Sequence, residues 1–365
     1  MHRKRGEGTT SDVRILVAGA SGFAGRAIVA DLLEAGHRVR GLARSEQSAA
    51  RIEALGASVH RGSLADPNEI AAAARGCEAV VHAAGIASAR AAPAALYWTH
   101  VAGTENLLRA AEHAGVRRAV VISCTDATLQ RGPRTNWDED RAPVGRPLGH
   151  RARSLKQAEE VAVGRARPPH FETLVLRAGW LWGAGDESRL PALCAEVRRT
   201  GALRLPGGGS YLLATTHVRN LAHAVRRALQ AEGWEGHGVL HVTDAEMVLA
   251  AEFFGGLLRA VGLPPPRSGP PTRLQLALAW LRERLGLAGA TEAEVAARSL
   301  PTVVQTRRIE ALLGYEPVVS FEGGMAELAD WARQVGGAEA IAARLRPPPG
   351  EEAVAAQIRA AEALG

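Results

Sequence analysis

The sequence predicts an α/β protein: a doubly wound parallel sheet with a smaller, interleaved C-terminal lobe. Three observations carry the prediction. Short apolar, β-branched runs alternate with helical segments from residue 13 to about 180. Such runs, apolar on both sides, suit parallel strands covered by helices on both faces. The first run ends in the turn Gly19-Ala20-Ser21-Gly22-Phe23-Ala24-Gly25, which opens a helical pattern.

That turn is the most informative stretch. Gly19 allows a tight bend, Gly22 lets the backbone approach a pyrophosphate, and Gly25 lets the helix pack on the strand. Free N–H groups at the helix start, with Ser21 and Phe23 beside them, then hold phosphates. The helix runs from Arg26 to Glu34 and stops at Gly36. The strand His37–Arg44, the helix 46–55, the short strand Ala57–His60 and the helix 67–75 follow. Next come the buried strand Ala79–Gly85, a long helix over 95–114 and the strand Arg118–Ser123. A helix over about 150–164 and the strand Thr173–Arg177 complete the alternation, and right-handed crossovers set the strand order.

The pattern loosens after residue 180. Leu205-Pro206-Gly207-Gly208-Gly209 marks a turn, Thr216–Gln230 a helix, Val239–Val242 a strand and 246–262 a helix. Leu274–Leu287 reads as an amphipathic helix whose apolar face suits either a membrane surface or the core; the core is expected, because Arg282, Glu283 and Arg284 interrupt its apolar run. A nucleotide-binding domain is expected over 12–180 and 216–245, and a substrate lobe over 181–215 and 246–340. A polar tail is expected over 1–11, and a C-terminal extension over 341–365.

Composition narrows the function. The 365 residues suffice for a large core, and no apolar run reaches membrane-spanning length. Cys77, Cys124 and Cys194 are scattered and odd in number, against a disulfide framework or a zinc site, so no metal is expected. With no leader segment, the cytoplasm is the expected compartment. The formal charge of +6 is spread along the chain without a basic, aromatic-interleaved stripe, which argues against nucleic acid. A small-molecule substrate is the expected partner, and a homodimer is left open. Only Lys4 and Lys156 are lysines; every other basic residue is arginine. Lys156 therefore reads as a place where a compact ammonium is wanted.

Six segments together resemble the extended short-chain dehydrogenase/reductase family, the branch of nucleotide-sugar epimerases and 3β-hydroxysteroid dehydrogenases. They are the glycine turn, Val81-His82-Ala83-Ala84-Gly85, Gly103–Ala111, Leu176–Gly183, Thr216–Ala222, and Leu312–Pro317 with Ala329-Asp330-Trp331. The resemblance covers roughly residues 12–335. It implies a Rossmann domain whose cofactor touches Ser63, Leu64, Ala83, Ala84, Gly85, Lys156 and Ala178. It also implies a tyrosine four residues before a lysine on one helix, and a Ser or Thr at the end of the fifth strand. Lys156 and Thr125 stand for the latter two. Ala152 occupies the tyrosine's position; a one-residue slip, setting Leu155 against the lysine, puts Arg151 there instead. Two further departures are His100, where the family often has asparagine, and Ser63, where it has an acid.

The missing phenol leaves three readings: another proton donor, non-redox chemistry on the same fold, or NAD(P) binding without turnover in a regulatory or assembly protein. The donor candidates are His150, Asp126, His100 and Tyr211, with His150 favoured for its titration range. The expected function is an oxidoreductase of the extended short-chain type with a non-standard proton donor. Its cofactor is expected to be NADP(H) rather than NAD(H). The second strand ends in Arg44, which cannot accept ribose hydroxyl hydrogens but pairs with a 2′-phosphate. Trp180, Trp182 and Tyr211 are expected to line an apolar substrate pocket for a ring-containing or apolar metabolite.

Overall fold

The computed structural model describes residues 13–231, 233–234 and 238–345. The expected tail over 1–11 and the segment from Pro347 lie outside them. Seven parallel strands form one sheet. From one edge they are Ser58–Arg61, Arg38–Ala43, Arg14–Ala18, Ala79–His82, Arg118–Cys124, Glu172–Ala178 and Val239–Val242. The order reverses between Arg14–Ala18 and Ala79–His82, and a ligand crevice forms at the carboxyl ends of strands at such a switch.

Alternation along the strands builds the two faces. Ile15 and Val17 enter one apolar cluster, with Ile28, Leu32, Ile52 and Leu221 from helices on that side. Leu16 and Ala18 enter the other, with Ile70, Leu107 and Ala162. This is the period-2 pattern of a sheet covered on both faces.

The second lobe has its own core of Leu190, Leu205, Phe253, Phe254 and Leu328, among others. A small sheet there pairs Val248–Leu249, Leu212–Leu213, Thr302–Val304 and Arg134–Trp137. The last strand comes from the segment between the fifth strand and the next helix. The helix Arg307–Leu313 packs with the nucleotide domain through Ile309 and Leu313. The expected helix over 95–114 is interrupted. Pro93–Leu96 and Gly103–His113 are α-helical, but Tyr97–Ala102 is a π-helical turn.

The helix Thr272–Arg284 departs from its core-facing expectation. Ala279 is its only buried residue, and Leu274, Leu278, Trp280 and Leu281 are exposed. Apolar periodicity shows that a helix has an apolar face, not which way that face turns.

Candidate active site

The glycine turn forms as its sequence requires. Gly19 has φ +85°, a left-handed conformation, and its carbonyl accepts the Gly22 N–H at 3.0 Å. A Cβ on Gly19 would lie 2.6 Å from the Ala83 carbonyl carbon, and one on Gly25 would collide with the Gly19 carbonyl. Gly22 is exposed, and a Cβ there would meet only the Gly19 oxygen at 3.3 Å, so its open side faces the crevice. Glu187, from the lobe, bridges Arg26 at 3.2 Å and Arg51 at 3.0 Å beside this turn.

Around the crevice, the Ala83 N–H is held by the Ala18 carbonyl, and Ala178 closes the strand beside Cys124. Ser63 donates its N–H to Glu69, and the Leu64 carbonyl accepts from the Asn106 side chain. Arg44 is exposed at the second strand's end, with no ion pair or hydrogen bond among the described residues.

The helix His150–Arg165 carries His150, Arg151, Ala152 and Lys156, and its rotation is set from its middle. Glu159 is fully buried and paired bidentately with Arg177 at 2.8 and 2.6 Å, and it accepts the Ser123 hydroxyl at 2.7 Å. Residues four apart share a face, so this anchor turns Leu155 and Arg151 toward the sheet. Arg151 fills the space at the end of the fifth strand. It donates to the Ile86 carbonyl at 2.9 Å, to Asp126 at 2.5 Å and to the Cys124 sulfur at 3.4 Å.

Lys156 lies one residue round from that stripe. Its ammonium sits 3.7 Å from the exposed Glu160, with nearly a third of its side chain open to solvent. The structure therefore does not bring Lys156 to Thr125, as the unslipped register had expected. Nor does Ala152 leave a gap: it is 2% exposed and packed against Leu129, Ala293 and Ala296. Arg151, the residue that the slipped register sets against the phenol, reaches the end of the fifth strand instead.

Thr125 begins a short 3-10 turn, buried at the mouth of the cleft. Its carbonyl accepts from Thr128 and from Arg134, whose other guanidinium arm reaches Thr302 in the lobe at 2.8 Å. The Thr125 hydroxyl has no hydrogen-bond partner among the described residues and lines the cleft with Asp126, Trp180 and Arg189. Asp126 also accepts from Arg189 at 3.0 Å. Burial alone would raise its pKa, but Arg189, Arg151 and Arg134 outweigh that and hold it at about 2. Arg151 is raised above its usual range: burial opposes its charge, but Cys124 and Asp126 more than compensate. Among the residues lining the cleft, the guanidiniums of Arg134 and Arg189 outnumber the single Asp126 carboxylate and leave it positive.

The other donor candidates lie elsewhere. His100 accepts the Ile86 N–H at Nε2 (2.9 Å), so its Nδ1–H donates to Ser154 (2.8 Å). Burial, Arg151 and His82 depress it to about 3, so it is a neutral strut. The Tyr211 hydroxyl donates to the Arg298 carbonyl at 2.8 Å, and burial pushes its pKa to about 12. His150 is exposed in the helix's first turn, with no hydrogen bond among the described residues. Of the aromatic candidates, Trp180 lines the cleft with Arg189 over its ring at 4.2 Å. Trp182 is core: it is 2% exposed, bonded to Asp244 at 2.8 Å and packed against Phe253 and Phe321. Arg189 and Arg134 escaped sequence reading, since nothing local distinguishes them in an arginine-rich chain.

Residues 15–240 match the family described as the NAD dependent epimerase/dehydratase family. Among similar proteins is the 4-hydroxy-2-methyl-3-oxo-4-farnesyl-3,4-dihydroquinoline-1-oxide ketoreductase of Stigmatella aurantiaca. It is 34% identical over 334 residues, 89% of this chain and 97% of that one. The 2-alkyl-3-oxoalkanoate reductase of Stenotrophomonas maltophilia is 32% identical over 256 residues, 69% of this chain and 77% of that one. The UDP-glucose 4-epimerase of Thermotoga maritima, solved with UDP-glucose, superposes with a TM-score of 0.68 at 20% identity, over 88% and 99% of the chains. That last likeness shows the fold alone; the family match and the two reductases carry more. The chain belongs to the NAD dependent epimerase/dehydratase family, the extended short-chain dehydrogenase/reductases, whose members similar to it include reductases and dehydrogenases.

Proposed function

We propose that this protein is an NADP(H)-dependent oxidoreductase that reduces a ketone on a small apolar or ring-containing metabolite, with Arg151 and Thr125 holding the carbonyl oxygen. The observation that carries it is that Arg151 is fixed on Asp126, the residue after Thr125 at the end of the fifth strand, while the Thr125 hydroxyl has no partner among the described residues. The two similar reductases, both named for 3-oxo compounds, support the direction of the chemistry.

The cradle at Gly19, Gly22 and Gly25 fits a dinucleotide, because Gly19 and Gly25 leave no room for a side chain and the exposed Gly22 leaves its backbone open to a ligand. Arg44, unpaired and exposed, fits a 2′-phosphate. When bound, the nicotinamide supplies the hydride. Arg151 keeps its proton at every ordinary pH, so it stabilises a developing alkoxide by charge rather than by proton transfer. Thr125 donates a second hydrogen bond to the same oxygen. Asp126 stays ionised and positions both Arg151 and Arg189, and the proton that completes the alcohol comes from water. Trp180 lines the cleft, a cavity of only about 10 Å³ here, and would offer an apolar wall to a ring that parts its side chains. We place the protein in the cytoplasm, consistent with its three free cysteines.

The test is NADPH oxidation against a panel of cyclic and 3-oxo ketones, run in parallel with NADH. The account expects turnover favouring NADPH by about tenfold to a hundredfold, reversed by Arg44→Asp, as for loss of a charged phosphate contact. Equal rates with both cofactors, unchanged by that substitution, would remove the role of Arg44.

A further inference from the structure

The helix Thr272–Arg284 carries a second message. Leu274, Leu278, Leu281 and Leu285 are 50, 40, 46 and 61% exposed. At 100° per residue they fall within an arc of about 60°. The opposite face holds the helix on the protein: Ala279 is buried and Leu276 packs toward Ala293 and Ala296. Glu283, the helix's only acid, lies on the face opposite the leucines, where it accepts the Glu292 N–H at 2.8 Å.

Arg282 flanks the leucine stripe on one side, and Arg273 and Arg284 on the other. None of the three has an ion pair among the described residues; Arg284 lies 5.1 Å over the Trp280 ring. An apolar stripe bordered by uncompensated arginines and a tryptophan is the pattern of a helix lying in a membrane interface. A second copy of the chain would set arginine against arginine across such a face, since the helix has no acid on that side to answer them. An anionic lipid surface answers both the leucines and the arginines.

We propose that Thr272–Leu287 docks this protein peripherally on an anionic bilayer, without crossing it. Among the described residues no helix is long and apolar enough to span one. The proposal does not depend on which reaction the cleft carries. The helix leads directly into Glu292–Ser299, whose Ala297 walls the cleft, so a docked protein would hold its cleft next to lipid-soluble material.

The experiment is co-sedimentation of the full chain with phosphatidylcholine vesicles, with and without phosphatidylglycerol. Binding is expected only to the anionic vesicles and is expected to weaken with salt. Leu278→Glu with Leu281→Glu should reduce it on the order of tenfold or more. Each of Arg273→Gln, Arg282→Gln and Arg284→Gln should cost about fivefold. These positions are exposed, so circular dichroism and NADPH binding should match the parent and exclude misfolding. No binding to anionic vesicles, or binding that all these variants leave unchanged, overturns the proposal. A dimer lost in the double leucine variant, without vesicle binding, makes a second copy the occupant and overturns it equally.

Discussion

Replacing Arg151 by glutamine tests the proposed chemistry most sharply, because the side chain keeps its approximate length and loses its charge. Arg151 is 12% exposed on its side chain, so its field is only partly screened. At an effective dielectric of about 20, a guanidinium about 4 Å from a developing alkoxide contributes about 4 kcal/mol. Removing one such donor therefore lowers kcat by about 10²- to 10³-fold. Stability suffers less. Asp126 keeps Arg189 at 3.0 Å, so the cost stays below the roughly 3–5 kcal/mol of stripping a buried pair of its only partner. The assay is steady-state NADPH oxidation with the fastest ketone of the panel, alongside NADPH affinity and a urea melt. The account expects kcat to collapse while NADPH affinity changes less than about threefold. Arg151→Lys, which restores charge without the fork, should recover part of the loss. A folded, NADPH-binding Arg151→Gln enzyme with parental kcat would refute the reasoning.

Other outcomes follow from the same geometry. Lys156→Ala removes only a half-exposed pair with Glu160, so it should cost less than about 1 kcal/mol and leave NADPH affinity unchanged; lost cofactor binding would restore Lys156 to the site. Ala152→Tyr overpacks the contact with Ala293 and Ala296 and should cost about 1–3 kcal/mol or more in a urea melt, rather than create activity; a parental melt would show the space that the structure denies. Burial lowers His82 to about 4, and burial with neighbouring charge lowers His100 and His241 to about 3. The unfolded chain, with histidines near 6.5, therefore binds protons that the folded one does not as pH falls. Stability is full above about pH 6.5 and is lost at roughly 1.4 kcal/mol per pH unit per histidine below it. Melting temperatures that stay flat from pH 7 to 4.5 would contradict this. Asp126 and Arg151 keep fixed charges over the same range, so His150→Gln should leave the pH profile of kcat unchanged; a limb that vanishes in that variant would make His150 the donor.

Much of this architecture is legible in the chain because strand and turn signals are local. Ile15 to Ala18 alternate between two cores, and Gly19 must take a positive φ, whatever the rest of the molecule does. The helix His150–Arg165 is different. Whether residue 151 or 152 faces the cleft depends on the rotation of the helix, which the Glu159–Arg177 pair sets from another strand. Asp126 meets Arg189 across 63 residues of chain, a pairing that no periodicity announces. Trp180 and Trp182 look equivalent in sequence; the first lines the cleft, while the second turns its indole N–H to a buried Asp244. The leucines of Thr272–Arg284 misled for a simpler reason, since the same spacing serves a core, a partner or a bilayer.

The most direct measurement of the central claim is a crystal structure with NADP⁺ and a ketone-like inhibitor bound. The account predicts the 2′-phosphate on Arg44, and the inhibitor's oxygen within hydrogen-bond distance of both the Arg151 guanidinium and the Thr125 hydroxyl. Lys156 should remain beside Glu160. An NADP⁺ complex in which Lys156 swings onto the cofactor ribose and Arg151 stays clear of the inhibitor would contradict it.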